Sequence, residues 1–238
     1  MLRFVDVTKT FGNIVAVSDV NLEIDPGEFV FITGPSGAGK TTLLYLILRK
    51  YLPDHGEILL GDRDITKLRG RDVAILRQNI GTVFQDFKVL PERTLRENIE
   101  VALAIKGVKQ NEWKDRVDQV LAVVGLTDRA SLFPSQLSGG EIQRTSLARA
   151  LVVNPDIILA DEPTGNLDWE TADAMMQLFE KINSNGKTII VATHHKGILE
   201  KMKKRTVKLR GGKIEADEGK KKVKVEVKEK TVETPKSS

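Results

Sequence analysis

The hydrophobic positions change period several times along the chain, and each change marks an element. Between residues 1 and 33 they alternate with polar ones: Leu2, Phe4, Val5 and Val7, then Val15, Val17, Val20, Leu22 and Ile24. Gly12-Asn13 and Asp25-Pro26-Gly27 interrupt them, the pattern of short strands joined by turns. Glu28-Phe29-Val30-Phe31-Ile32-Thr33 is a compact β-branched and aromatic run suited to a strand buried on both faces. From Lys40 to Leu52 the period becomes helical, with Leu43, Leu44, Ile47 and Leu48 three and four apart until Pro53-Asp54-His55-Gly56 stops them.

Between 86 and 150 helix formers dominate, predicting helices over Leu95 to Lys106 and Asn111 to Val124 and a third entered at Ser138. Two apolar runs follow, Ile157 to Ala160 and Thr188 to Ala192, separated by a helical stretch from Glu170 to Ile182. Strand, helix and strand in that order predict a βαβ crossover and a mainly parallel sheet. The expected organisation is one domain over 1–214, with a core of 1–85 and 151–214 and a helical subdomain at 86–150. A flexible charged tail is expected over 215–238, which holds lysines and acids but no aromatic residue. Val223, Val225 and Val227 alternate with charges there and leave an edge strand open as the alternative.

Composition removes several function classes. The 238 residues contain no cysteine, which excludes disulfides, thiolate metal sites and a cysteine nucleophile. The longest purely apolar stretch runs only from Leu43 to Leu48, far short of the roughly 20 residues a membrane-crossing helix needs. Nothing in Met1-Leu2-Arg3-Phe4-Val5-Asp6 reads as an export signal. A formal net charge of +4 gives a mild attraction to phosphate or to an anionic membrane surface. Lys196 to Lys213, with a single acid at Glu200, reads as a solvated surface helix and strand.

Candidate chemistry begins at Gly34-Pro35-Ser36-Gly37-Ala38-Gly39-Lys40-Thr41, which matches G-x-x-x-x-G-K-[ST] between a buried-type strand and an amphipathic helix. Glycines let main-chain N–H groups wrap a phosphate, and the helix start adds unpaired N–H groups and a positive dipole. Lys40 would reach the β- and γ-phosphates and Thr41 would ligate Mg²⁺. Ser36 stands where a dinucleotide fingerprint needs its second glycine, so nicotinamide chemistry is not expected. Asp161 and Glu162 end an apolar strand, where open α/β sheets gather ligands, and their side chains diverge. Asp161 suits the metal and Glu162 the attacking water. Leu137-Ser138-Gly139-Gly140-Glu141, followed by Gln143-Arg144, reads as a second anion-binding helix terminus: a serine N-cap and two glycines that leave N–H groups bare.

These motifs together resemble the ATP-binding-cassette (ABC) ATPases over about residues 2–213, the stretch at 137–141 being the most specific. The resemblance implies an α/β fold: a P-loop NTPase (RecA-like) core with a mainly parallel sheet, an N-terminal antiparallel β subdomain and an inserted α-helical signature subdomain. It implies a head-to-tail homodimer hydrolysing ATP with Mg²⁺. The nucleotide would be held by Gly34, Pro35, Ser36, Gly37, Ala38, Gly39, Lys40, Thr41 and Thr42 of one subunit and by Ser138, Gly139, Gly140 and Glu141 of the other. Thr41, Gln85 and Asp161 would hold the metal. Glu162, His194, Gln85, Lys40 and Asp168 would serve the reaction, and Phe11 would stack on adenine. His195 stands where the family commonly has aspartate.

Asp161-Glu162-Pro163-Thr164-Gly165-Asn166-Leu167-Asp168 is shared with lipoprotein-release, macrolide-export and cell-division ATPases. Lys67 to Val73, Leu76 to Gly81, Val83 to Phe87 and Arg93 to Asn98 look most like the cell-division members, and these segments surround the groove that receives a membrane partner. The implied setting is cytoplasmic, peripheral on the inner face of the cell membrane at the division site. An integral-membrane partner and, indirectly, extracytoplasmic peptidoglycan hydrolases would complete it. An importer or exporter ATPase is the alternative. A nucleic-acid clamp and a small-molecule kinase fit less well, the first for want of a second cassette, the second because the signature has no task there.

Overall fold

Strands whose two faces are both apolar set the architecture of residues 1–219, the part that this computed structural model describes. The chain opens with β1 (Leu2–Phe11) and β2 (Ile14–Ile24), then enters β3 (Phe29–Thr33), the glycine loop and α1 (Lys40–Ile47). β4 (His55–Leu60), β5 (Arg63–Asp64), α2 (Arg71–Gln78) and β6 (Ile80–Phe84) follow. The helical stretch comprises α3 (Leu95–Lys106), α4 (Trp113–Val124) and α5 (Gly139–Leu151). The chain closes with β7 (Ile157–Asp161), α6 (Trp169–Ser184), β8 (Thr188–Ala192), α7 (Lys196–Met202), β9 (Arg205–Arg210) and β10 (Lys213–Glu218).

The strands form two sheets. One is antiparallel, in the order β2-β1-β4-β5; the other runs β10-β9-β3-β8-β7-β6 and is parallel except for its edge strand β10. Alternation along the central strands divides the core. Val30, Ile32, Leu159 and Ile190 face a cluster shared with α1 and the antiparallel sheet, while Phe31, Ile158, Ala160, Ile189 and Val191 face a cluster shared with α3 to α6. The helical segment is therefore packed directly on the catalytic sheet. In β1 the buried positions shift phase between Phe4 and Val7; a bulge there, with Asp6 at φ 49°, explains why Val5 and Val7 break the simple alternation.

Several boundaries differ from expectation for reasons outside the local pattern. α1 stops at Ile47, not Leu52, because Arg77 of α2 donates to the carbonyls of Leu48 (2.9 Å) and Arg49 (2.9 Å), and Arg49 turns left-handed at φ 54°. A distant arginine thus does the work of a C-cap. The α-helix expected from Asn111 begins at Trp113, after a short 3₁₀ turn, and α6 runs one residue earlier and two later than expected. The stretch expected to be a free tail from 215 instead continues as β10 to Glu218. Buried Arg205 donates to both carboxylate oxygens of Asp217 (2.9 and 2.8 Å) and to Glu28 (2.8 Å), fastening the edge strand to the core. β9, from the basic stretch expected to be a solvated surface, is an inner strand with Val207 and Leu209 fully buried. The alternating valines at 223, 225 and 227 lie outside the described residues.

Candidate functional site

Close approach by two strands shapes the glycine loop. A Cβ on Gly34 (φ 150°) would come within 2.2 Å of the Leu209 carbonyl oxygen, and one on Gly39 (φ 102°) within 2.3 Å of that of Ala16. Only glycine fits either place. Gly39 is also the N-cap of α1, which has no side-chain cap and no acid in its first turn, so its leading N–H groups and dipole end face the loop without competition. Lys40 is buried and donates to the carbonyls of Gly34 (2.9 Å) and Pro35 (3.2 Å). Pro35, Ser36, Gly37, Ala38, Gly39, Lys40, Thr41 and Thr42 line a cleft of about 570 Å³, joined by Gln85, Glu162 and His194 from the strand ends and by Ile14 and Ala16.

The sequence-predicted chemistry converges at the floor of this cleft. Thr41 donates through Oγ1 to Asp161 Oδ1 (3.1 Å). Burial pushes the Asp161 carboxyl above the ordinary carboxylate range, and the negative Glu162 next to it adds to the rise. Glu162 is held at φ 47°, a strained conformation for a non-glycine residue, by its N–H bond to the Ala192 carbonyl (2.8 Å). Its Oε1 lies 2.8 Å from His194 Nδ1 and 3.8 Å from Lys40 Nζ. Gln85 is tied to the segment after Glu162: Asn166 donates to the Gln85 carbonyl (3.1 Å), and the Gln85 amide to Asn166 Oδ1 (3.4 Å).

The remaining predicted residues lie apart from this cleft. Ser138, Gly139, Gly140, Glu141, Asp168 and Phe11 are absent from its lining; Gly34 and Asp161 are absent too but bond directly to Lys40 and Thr41 within it. Ser138 caps α5 in a closed capping box: its N–H and hydroxyl both donate to Glu141 Oε2 (2.8 Å each), and the Glu141 N–H returns to Ser138 Oγ (3.3 Å). The terminus expected to be bare therefore carries a carboxylate, held below its ordinary range by those bonds and by Arg129. Gly140 is buried for a steric reason, since a Cβ there would lie 2.3 Å from Thr171 Cγ2. Thr171 is fixed in turn by Asp168, the N-cap of α6, which accepts from its N–H (2.9 Å) and hydroxyl (2.7 Å). Phe11, 40% exposed, meets Tyr51 edge-on at 4.9 Å, and Ile14 and Ala16 line the cleft wall. His195 packs its ring 5.4 Å from that of exposed Trp169, beside Asp168.

The family profile described as ABC transporter matches residues 17–165, spanning the loop, the Ser138 turn and the Asp161-Glu162 strand end. The chain belongs to this family. Its cassette is 44% identical over 219 residues to the cell division ATP-binding protein FtsE of Bacillus subtilis, covering 92% of this chain and 96% of that protein. Over 220 residues it is 42% identical to FtsE of Escherichia coli K12, covering 92% and 99%. A dimeric bacterial ABC transporter cassette of solved structure superposes with a TM-score of 0.83 at 39% identity, over 92% of this chain and 98% of that one. The same cassette, solved in a post-hydrolysis state bound to ADP and Pi, gives 0.82 at 38% identity, with the same coverage. The chain is thus an FtsE-like ATPase with the P-loop NTPase fold.

A second concavity of about 350 Å³ lies between α2, β6, α3 and α5. Ala74, Ile80, Ala102, Ile105, Ala150 and Val153 give it an apolar lining, with Arg77, Gln78, Lys106 and Arg149 among them. Ile105, 63% exposed, contributes apolar surface to its rim. Among the described residues no helix is long and apolar enough to cross a membrane.

Proposed function

We propose that the chain hydrolyses ATP as a head-to-tail homodimer and passes the opening and closing of that dimer to a transmembrane partner resembling FtsX, which in turn regulates peptidoglycan hydrolases outside the membrane. The observation that carries the reading is the separation of the two anion-binding helix ends. The loop of Gly34 to Thr41 has its catalytic groups around it, and the Ser138 turn stands outside that cleft. A second copy, rotated to bring its Ser138 turn to the first copy's nucleotide, completes both sites at once.

In this reading Lys40 leaves the Gly34 and Pro35 carbonyls for the β- and γ-phosphates, and the loop N–H groups neutralise the phosphate charge. Glu162 accepts the proton of the attacking water, and its bond to His194 orients the carboxylate and holds the imidazole toward the γ-phosphate. Thr41, Asp161 and Gln85 form a hard oxygen set that suits Mg²⁺, one carboxylate and one hydroxyl being enough where phosphate oxygens supply the rest. The metal would neutralise charge developing on the β- and γ-oxygens. Gly139 and Gly140 would meet the partner's γ-phosphate through their N–H groups, with Asp168 and Trp169 at the seam.

Two measurements test this. Glu162→Gln removes the proton acceptor but keeps the shape, so turnover falls by about 10²- to 10⁴-fold. ATP then traps a dimer visible by sedimentation; full turnover, or a monomer with ATP bound, would refute the assignment. A tagged chain used to capture partners from detergent-solubilised membranes recovers an FtsX-like protein, and Ile105→Glu in the exposed groove reduces the recovery. Capture of a substrate-binding protein or an efflux partner would assign the chain to transport instead.

A further inference from the structure

Helix α5 connects the Ser138 turn, one element of the proposed seam, to the catalytic strand ends of its own chain. Gln143 lies five residues along it, with no exposed surface. Its side-chain amide donates to the Pro163 carbonyl (2.8 Å) and to the Phe84 carbonyl (3.3 Å). Phe84 precedes Gln85, and Pro163 follows Glu162. Phe84 also pairs in register with Asp161 across β6 and β7, so one amide bridges the ends of two neighbouring strands. One and a half turns further along, Arg149 donates to the carbonyls of Lys88 (2.6 Å) and Phe87 (3.0 Å). Both residues are left-handed, at φ 51° and 59°, although neither is glycine.

Such a strained pair persists only when its surroundings impose it, and here the imposing group is on α5. The Phe87 ring also reaches the start of the helix, its Cζ lying 4.0 Å from where a Gly139 Cβ would be. The chain from Phe84 to Lys88, carrying Gln85, is thus fastened to α5 at Gln143 and Arg149 and touches it at Gly139. A helix of 13 residues is stiff over its roughly 20 Å length, and a displacement at Ser138 reaches Gln143 and Arg149 with little loss.

We propose that α5 is a strut between the two ATP sites, with Gln143 and Arg149 as its positioning residues. The proposal rests on the head-to-tail dimer argued above. When Ser138 of one subunit meets its partner's nucleotide, α5 shifts, and Gln143 carries the shift to the backbone on either side of the catalytic pair in its own subunit. Neither residue touches substrate. What they set is the placement of Glu162 and Gln85 against the nucleotide that the same chain binds through Lys40.

Mixed dimers of the full chain separate this from a merely structural role. One subunit carries Glu162→Gln, so that a single site hydrolyses, and Gln143→Met is placed either in the hydrolysing subunit or in the other. The strut predicts single-turnover cleavage at least tenfold slower when Gln143→Met shares a chain with the intact Glu162. It predicts less than a twofold change when the substitution lies in the opposite chain, whose Ser138 turn faces the reacting nucleotide. Equal effects, or the reverse order, would overturn it, because a residue that only shapes the Ser138 turn acts across the seam. Arg149→Ala, at a less buried position, gives the same test if Gln143→Met does not fold; it should show the same preference, with Arg149→Lys recovering part of the rate. If Glu162→Gln alone forms no ATP-dependent dimer, the dimer reading fails and the strut with it. A normal dimer with the wrong placement effect removes the strut alone.

Discussion

Two helix N-termini in this chain invite the same description from sequence, yet they are built in opposite ways. That of α1 follows a glycine, has no side-chain cap and no acid in its first turn, and leaves its N–H groups to whatever occupies the loop. That of α5 is closed by its own serine and glutamate, with the carboxylate accepting from the Ser138 N–H and hydroxyl. The first is an anion site as it stands. The second is closed at Ser138 and Glu141, and in the proposed dimer its Gly139 and Gly140 N–H groups would face an anion only when a neighbour presents one. The proposed head-to-tail dimer would use this asymmetry: one terminus would hold the nucleotide before assembly, and the other would not compete for it within the same subunit.

Lys40→Ala should break the first terminus. Among the described residues its ammonium is the one lysine or arginine cation lining the cleft, and nucleotide affinity should fall at least 100-fold, about 2.7 kcal/mol, in a fluorescent-nucleotide titration. Ser138→Ala sharpens the contrast: the isolated chain should bind nucleotide within twofold of the parent, because Ser138 lies outside the cleft, while ATP-driven dimerisation of the Glu162→Gln protein weakens. A loss of monomer affinity in Ser138→Ala would erase the distinction between the two termini.

The second terminus is sensitive to bulk as well, here through a side-chain neighbour. Gly140→Ala puts a methyl group 2.3 Å from Thr171 Cγ2, and Thr171 cannot simply turn away, since Asp168 holds both its N–H and its hydroxyl. The expected cost is about 2 kcal/mol, in the range of overpacked cores, or roughly 4–8 °C in Tm. Thr171→Ser deletes the clashing methyl and keeps the hydroxyl, so the double variant should recover most of the loss; simple additivity would show that the two residues do not meet.

Much of this was legible in the chain. The near-continuous apolar runs of Phe29 to Thr33, Ile157 to Ala160 and Thr188 to Ala192 gave the parallel core, because a strand covered on both faces has few ways to be written. The loop at Gly34 and the Asp161-Glu162 strand end were legible because their chemistry dictates residue type at fixed spacing, whereas His194 was singled out only by the family resemblance. What stayed hidden depends on partners distant in sequence. Arg77 ending α1 and Gln143 bridging Phe84 to Pro163 are long-range bonds to main-chain carbonyls, and Arg205 fastens β10 by pairing with the carboxylates of Asp217 and Glu28; none of these leaves a periodic signal. Gly140 read as a bare helix start, whereas its neighbour Thr171 is what forbids a side chain. Ile14 and Ala16 reach the cleft because a strand of the antiparallel sheet passes the loop, a matter of tertiary arrangement.

The smallest expected effect concerns the charge inside the α5 cap. Hydrogen bonds from Ser138 hold the Glu141 carboxyl below its ordinary range, so the ionised form is favoured by folding. The sign follows from linkage: this stabilisation is fully present above the ordinary carboxylate pKa, about 4.3, and disappears as pH falls through the lower folded value. Glu141→Gln keeps an acceptor oxygen but cannot carry the charge that the helix dipole favours, a difference of about 0.5 kcal/mol near neutral pH. Thermal melts of the two proteins should therefore be separated by a degree or two at pH 7 and converge toward pH 3. A gap that stayed constant over that range would mean the cap works through hydrogen-bond geometry alone.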